Sequence, residues 1–558
     1  MHGIGILSEY DRNRILRRAD WRFLLNEPRP ERTVCLTDGN LALAARLISK
    51  SVAEQGGAEN GDCDLAMAVN PGTVALRSAF EKLRAGGSCY TEWYSLRTRG
   101  PRRVRRLLEV AGFVDVNCYW AWPWPKYGPA RVWLPLEAPG AERYWRRQLV
   151  GGGPSHRIKR MLFLLLWRLG VIMGLTLPIC ATARKPGSGT PTGGDGGRCQ
   201  SEEPEAAAAD ALDHSIGMVA AIREAWPTWD LGPPPQRIST LLLTGGPRSI
   251  SKIVSLMFSE PESVPRLVVK MPRVAESLPG LRREAATLRA IEKLDTGRLF
   301  PGIPRVLFCR DVDCGYALGE TALMGQSIFT ILHRDNYREI ALQATDWLTE
   351  FALHTRKQGR PGDVPAFVNS VLQHFVNSFG SVIDSTAIET TYSIFNERLT
   401  LELPCVCEQR DFSPWNVFRG IDDQLVVLDW ESAELHGLPV MDLIYFLTNL
   451  AFFIDRAYVF SPKGALGSGR FRESYQAILD PTTFTGSIFQ ECIARYCRRL
   501  KLDYAALQPL RMLVWLLHSR SEHEQFIQDC GGTPKSGALR RSLFLSLWEE
   551  ELRHSSTR

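Results

Sequence analysis

The stretch "CEQRDFSPWNVFRGIDDQLVVLDWESAELHGLPVMDLIYFL" at 407–447 decides how this chain is read. Asp411 and Asn416 stand five residues apart, in a segment whose Pro414 favours a loop. Thirteen residues beyond Asn416, Asp429 ends an apolar strand pattern, "LVVLDW", and is followed by Trp430 and Glu431. A further carboxylate, Asp442, lies in "PVMDLIYFL". Phosphoryl transfer needs such a set: one carboxylate to accept or orient a hydroxyl proton, and two oxygen ligands for a divalent cation. The alternative is that Asp411 and Asp429 are ordinary turn and strand-end residues, and the upstream sequence bears on that choice.

Working outward towards the N-terminus, "RISTLLLTGG", "SKIVSLMF" and "RLVVKM" read as three antiparallel strands, the first two flanking a Gly-Gly turn. Lys270 ends the third. Glu284 lies fourteen residues later in the helical segment "LPGLRREAATLRAIEKL". Such a Lys and Glu suit a pair that holds an ammonium against nucleotide phosphates, the alternative being a surface ion pair. The turn "LTGGPRSISK" (243–252) would then offer backbone N–H groups around Gly245 and Gly246 to those phosphates. After "PRVLFCRD" and "YALGETAL" the chain becomes mainly helical. A small sheet with one helix, then a helical lobe, is the order of an α+β bilobal protein-kinase-like fold.

These residues together resemble the aminoglycoside phosphotransferase and choline kinase group, whose signature is roughly H-x-D-x4-N followed by a strand ending in D-[W/F]-E. The resemblance implies Asp411 as catalytic base, Asn416 and Asp429 as ligands of Mg²⁺, and Asp442 as a structural support of the loop. It implies ATP as the phosphate donor. Lys270 and Glu284 serve the nucleotide, and backbone groups of about Glu320 to Ala322 in "LGETALMGQSI" meet adenine. One position departs: Gln409 stands where the family has His. The implied function is transfer of the γ-phosphate to a hydroxyl of a sugar, an aminoglycoside-like compound or an amino alcohol. A non-catalytic nucleotide-binding scaffold, membrane-associated in polysaccharide assembly, is the second reading.

Residues 1–185 read differently. Apolar runs at 33–36 and 64–69 each precede a segment with helical spacing, and strands alternating with helices indicate a partial doubly wound α/β sheet. "LRAGG", "LLEVAGFVDVNCYW" and "ICATARKP" resemble the second half of a class I S-adenosylmethionine-dependent methyltransferase. Its cofactor half should carry a Gly-rich turn, whereas "CLTDGNLA" (35–42) has one Gly. A degenerate, non-catalytic domain is therefore expected, with Asp38 and Gly39 as the residues to test for residual cofactor contact. The Gly-, Ser- and Pro-rich stretch 186–212 reads as a flexible linker, followed by a kinase-like N-lobe at 213–325 and a helical C-lobe at 326–558. On this division the rear part should fold alone.

Composition sets the outer limits. The 558 residues are 44% hydrophobic and 23% charged, ordinary for a globular protein, and the net charge is only +6. That small excess argues against a nucleic-acid partner, and the six arginines of "RTRGPRRVRR" (97–106) read as a solvated helix face. Thirteen cysteines, an odd number with no CxxC pair, and no secretory signal suggest reduced thiols in a cytoplasm. The apolar stretch 161–183 is long enough to cross a bilayer, but Arg168 and Pro178 interrupt it, so a buried helix followed by a strand is preferred to membrane contact. Nothing in the sequence sets the oligomeric state.

Overall fold

The computed structural model describes residues 9–148, 178–187 and 217–556, apart from 26, 38, 54–57, 95–99, 246–250, 295–299, 313–314, 358–362, 400–402, 459–467 and 531. The chain forms two compact units: Met1–Leu281 with Val306–Ala322, and Arg282–Arg305 with Leu323–Arg558.

The first unit is built on one 12-stranded sheet. Its strands are β1 (Arg32–Cys35), β2 (Ser51–Ala53), β3 (Cys63–Val69), β4 (Leu83–Trp93), β5 (Val114–Trp122), β6 (Val132–Pro135), β7 (Ile179–Arg184), β8 (Ile238–Leu243), β9 (Ile253–Ser259), β10 (Pro265–Met271), β11 (Val306–Val312) and β12 (Gly315–Thr321). They lie in the order β11-β12-β10-β9-β8-β6-β5-β7-β4-β3-β1-β2. The pairs β1–β2, β1–β3 and β3–β4 are parallel, as expected from the alternation of strands with helices. The strand β7 runs antiparallel to both β4 and β5. It is the strand half of the apolar stretch 161–183; residues 161–177 lie outside the described residues.

Side chains along these strands alternate between two cores, as the two-residue period requires. Leu65, Met67, Tyr90 and Tyr119 enter one core with Leu41, Ala44 and Ala45 of the helix Asn40–Ile48. Ala66, Cys89 and Cys118 enter the other with Leu76 and Ala79 of Thr73–Lys82 and Val104 and Leu108 of Pro101–Val110. Helices therefore cover both faces.

The expected boundary at 186–212 is not where the compact units divide. The short strand β6 pairs with β8 through Val132↔Leu243 and Trp133↔Leu242, so the parallel sheet continues into the antiparallel strands β8, β9 and β10. Leu242, Ile253, Met257, Leu267 and Val269 share one core with Leu65 and Tyr90. The Gly-rich composition suggested independence, but a pairing across more than a hundred residues overrides it. Residues 188–212 themselves lie outside the described residues.

The second unit is mainly helical. It carries two small sheets: β13 (Gly325–Ser327) with β15 (Val417–Gly420) and β16 (Leu425–Val427), and β14 (Val406–Glu408) with β17 (Glu434–Gly437). The helix Met441–Ile454 is apolar almost all round, and every residue from Met441 to Phe452 is buried. Its Asp442 anchors the loop that follows β14. Among the described residues no helix is long and apolar enough to cross a membrane.

Candidate active site

The loop after β14 is held from three sides within the second unit. The Asp442 carboxylate, in the first turn of the helix Met441–Ile454, accepts the backbone N–H of Gln409 (2.6 Å) and of Arg410 (2.9 Å). The Gln409 side chain bridges two segments: its Nε2 donates to the carbonyls of Leu428 (3.1 Å) and Asp429 (2.5 Å), and its Oε1 accepts the Asp411 N–H (2.8 Å). Glu408 is buried, accepts the Leu438 N–H, and lies 3.4 Å from Arg410 Nε. A Cβ at Gly437 would collide with that carboxylate, which explains the glycine there. Burial pushes the Glu408 and Asp442 carboxyls upward, against the lowering by Arg410 and by the N–H groups that each accepts.

Three non-glycine residues here take left-handed backbone: Arg410 (φ 64°), Asp429 (φ 66°) and Val440 (φ 67°). Val440, being β-branched, is the costly one, and such strain of about 1–3 kcal/mol per residue persists where the surroundings over-determine it. The Val440 N–H donates to Tyr496 Oη (3.2 Å), and the strained turn sets up the helix that carries Asp442. The turn at Asp429 also ends the strand early. The sequence pattern predicts a strand over 425–430, whereas β16 stops at Val427, Leu428 donates to the Asn416 carbonyl (3.0 Å), and the chain turns.

The arrangement brings the three predicted chemical residues into one half-buried region. Asn416 Nδ2 donates to Asp411 Oδ2 (2.8 Å) and to the Asp411 carbonyl (3.1 Å). Withdrawal from water, followed by the nearby charge of Asp429, pushes the Asp411 carboxyl up to about 8, against the Asn416 hydrogen bond. Carboxylate oxygens of Glu284, Asp429 and Glu431 converge within 4.8 Å of one another. An all-oxygen carboxylate set is the ligand chemistry that a hard divalent cation such as Mg²⁺ takes. Glu431 is an addition to the predicted residues, and its signal was the Asp-Trp-Glu run itself. Glu284 Oε1 also accepts the Trp430 N–H (3.0 Å), which ties the helix Leu278–Leu294 to the Asp429 turn.

The remaining predicted residues lie in the first unit, where some roles differ from expectation. Lys270 is buried on β10 with its Nζ 2.7 Å from Glu320 Oε2. Glu320 was expected to act through its backbone; that backbone lies opposite Val268 in the sheet, and the side chain is the part that meets Lys270. Ala322 commits its N–H to the Arg266 carbonyl (3.2 Å), so that donor is not left for a purine edge. Gly245 follows β8, and a Cβ there would meet nothing within 4 Å. Gly246 and Asp38 lie outside the described residues. Gly39 (φ 88°) precedes the helix Asn40–Ile48 in a conformation that suits glycine. The described cysteines are free thiols, and neither Cys405 nor Cys407 belongs to a group of converging ligands among the described residues.

No family model matches the chain, and no curated protein matches it. Solved structures do. A glucosamine kinase matches at 16% identity over 60% of this chain and 85% of its own, with a TM-score of 0.37. A choline kinase from Streptococcus pneumoniae matches at 10% identity, covering 61% of this chain and 99% of its own, with a TM-score of 0.34. An ethanolamine kinase from Plasmodium vivax matches at 11% identity, covering 64% and 96%, with a TM-score of 0.34. Likeness at these scores decides nothing about this chain, and the side-chain geometry above carries the reading that follows.

Proposed function

We propose that this chain is an ATP-dependent phosphotransferase that moves the γ-phosphate to a hydroxyl of a sugar, an aminoglycoside-like compound or an amino alcohol. The observation that carries this reading is Asp411, oriented by Asn416 and set beside the converging carboxylates of Glu284, Asp429 and Glu431. In this reading Asp411 takes or orients the acceptor's hydroxyl proton, and Asn416 fixes one of its oxygens so that the carboxylate presents in a single direction. Asn416 and Asp429, with Glu431, would hold Mg²⁺, which when bound neutralises phosphate charge and lowers the pKa of neighbouring acids. Lys270, Glu284 and Gly245 stay assigned to the nucleotide. Exposed Trp415 and Phe329, with Phe453 between them (ring centroids 6.0 and 4.9 Å away), offer an aromatic surface beside Asn416 on which a sugar face or an ammonium group could rest.

The test is ADP release from the full chain across alcohols, sugars and aminoglycosides, with Asp411→Ala beside it. Acceptor-dependent release lost in the variant supports the assignment, and equal release in both overturns it.

We also propose that the methyltransferase-like half has no cofactor chemistry. The buried Glu92, near the carboxyl end of β4, is already engaged by Arg18 (2.6 Å), Tyr90 Oη (2.7 Å) and Tyr94 Oη (2.6 Å). Calorimetry with S-adenosylmethionine should show no binding; micromolar affinity would overturn this.

A further inference from the structure

A chain of buried polar contacts in the first unit links its N-terminal segment to Thr244 and Gly245, which follow β8. The 3-10 turn Asp20–Leu24 is buried throughout, and Trp21 stacks on Tyr90 of β4 with ring centroids 3.8 Å apart and planes 5° from parallel. Asp20 Oδ1 lies 3.1 Å from Arg273 Nε, both side chains being 0% exposed. Arg22 Nη2 donates to the Arg273 carbonyl (2.8 Å). Arg273 stands three residues after Lys270, and its Nη2 donates to the carbonyls of Thr244 (3.0 Å) and Gly245 (3.4 Å). Thr244 is braced a second time, through its N–H to the Arg131 carbonyl (2.9 Å) and its hydroxyl to the Ala130 carbonyl (2.6 Å).

These contacts act on the direction of peptide groups. In a trans peptide the C=O and the following N–H point opposite ways, so tying the Thr244 carbonyl to Arg273 turns the Gly245 N–H away from it. A buried guanidinium holds that orientation only while its own charge is matched, and Asp20 supplies the match from some 250 residues upstream.

We propose that Asp20 is a positioning residue for phosphate transfer: through Arg273 it sets the direction in which the Gly245 N–H is presented to the donor's phosphates. This rests on the phosphotransferase reading. It also assigns the methyltransferase-like half a present use, as the frame that holds Thr244 and Gly245.

The test uses full-length Asp20→Asn, Asp20→Glu and the charge-free pair Asp20→Leu/Arg273→Met, which keeps a folded control should a lone buried Arg273 unfold the first variant. Three quantities are read: the KM for ATP, kcat, and amide exchange in the peptide 238–245 against 114–122 as an internal reference. Loss of the clamp should raise the KM for ATP by about tenfold or more with a smaller change in kcat, and accelerate exchange in 238–245 alone, with Asp20→Glu recovering part of both. A charge-free pair that folds, with KM and exchange within about twofold of wild type, overturns the proposal. Wild type that neither binds Mg·ATP nor turns over, while the variants still accelerate exchange in 238–245, overturns the phosphotransferase reading and leaves only the clamp.

Discussion

Gln409 Oε1 accepts the Asp411 N–H at 2.8 Å while Nε2 of the same side chain donates to the Leu428 and Asp429 carbonyls. One amide thus couples the candidate base to the turn that carries the candidate metal ligand. An amide can do this because it has a donor and an acceptor at one end, without the imidazole that the resembled family places there.

Gln409→His should therefore change kcat by less than about tenfold, under ~1.4 kcal/mol of barrier, since a ring can replace one donor or acceptor. Gln409→Ala removes three hydrogen bonds between half-buried groups and should cost about 1–3 kcal/mol of stability as well. Steady-state kinetics and thermal unfolding of both variants check this. An inert wild type that gains strong ATP-dependent turnover as Gln409→His would favour the non-catalytic scaffold.

Asp429 and Asp411 should separate binding from turnover. Asp429→Ala removes a carboxylate from the Glu284–Asp429–Glu431 group and should abolish the thermal stabilisation produced by ATP with Mg²⁺. Asp411→Asn should keep that stabilisation and lose turnover, because its work is on the acceptor hydroxyl. Equal shifts in wild type and Asp429→Ala would contradict the ligand assignment.

A pH effect follows from His518, partly buried between Tyr445 (ring centroids 3.8 Å apart) and Phe544 (5.3 Å). Burial, then the charge of Arg410, pushes its imidazole from 6.5 down to about 3. The folded pKa lies below the unfolded one, so between them the unfolded chain holds the extra proton, and stability is lost as pH falls. The slope should approach ~1.4 kcal/mol per pH unit from this group within that window. Denaturant unfolding of His518→Phe should show a flatter acid limb than wild type; identical limbs would contradict it.

The part of the site that could be read from the sequence is the part whose residues lie close together along it. Asp411, Asn416 and Asp429 fall within one stretch, and the structure joins Asp411 to Asn416 directly. Lys270 with Glu320 was not legible, because a buried strand pair on neighbouring strands has no fixed spacing. The strands and helices themselves were largely legible from period and turn residues, the helix Leu278–Leu294 among them. The continuous sheet was not, since its halves join through the short register Val132↔Leu243 and Trp133↔Leu242, and composition between them points the other way.

That pairing bears on the expectation that 213–558 folds alone, and it argues for the opposite outcome. Without residues 1–212, β8 loses β6 and becomes an open edge, and the shared core loses Trp21, Leu65, Tyr90 and Trp133. The fragment expressed alone should aggregate, as size-exclusion chromatography would show. A monodisperse fragment with a cooperative unfolding transition would contradict this.

The most direct test of the phosphotransferase account is ³¹P NMR of full-length protein with ATP, Mg²⁺ and a mixed panel of sugars, aminoglycosides and amino alcohols. The account predicts a new phosphomonoester resonance that grows with loss of the γ-phosphate signal in wild type and stays absent in Asp411→Ala. A phosphomonoester that forms equally in the variant, or none from wild type while Mg·ATP is bound, would contradict it.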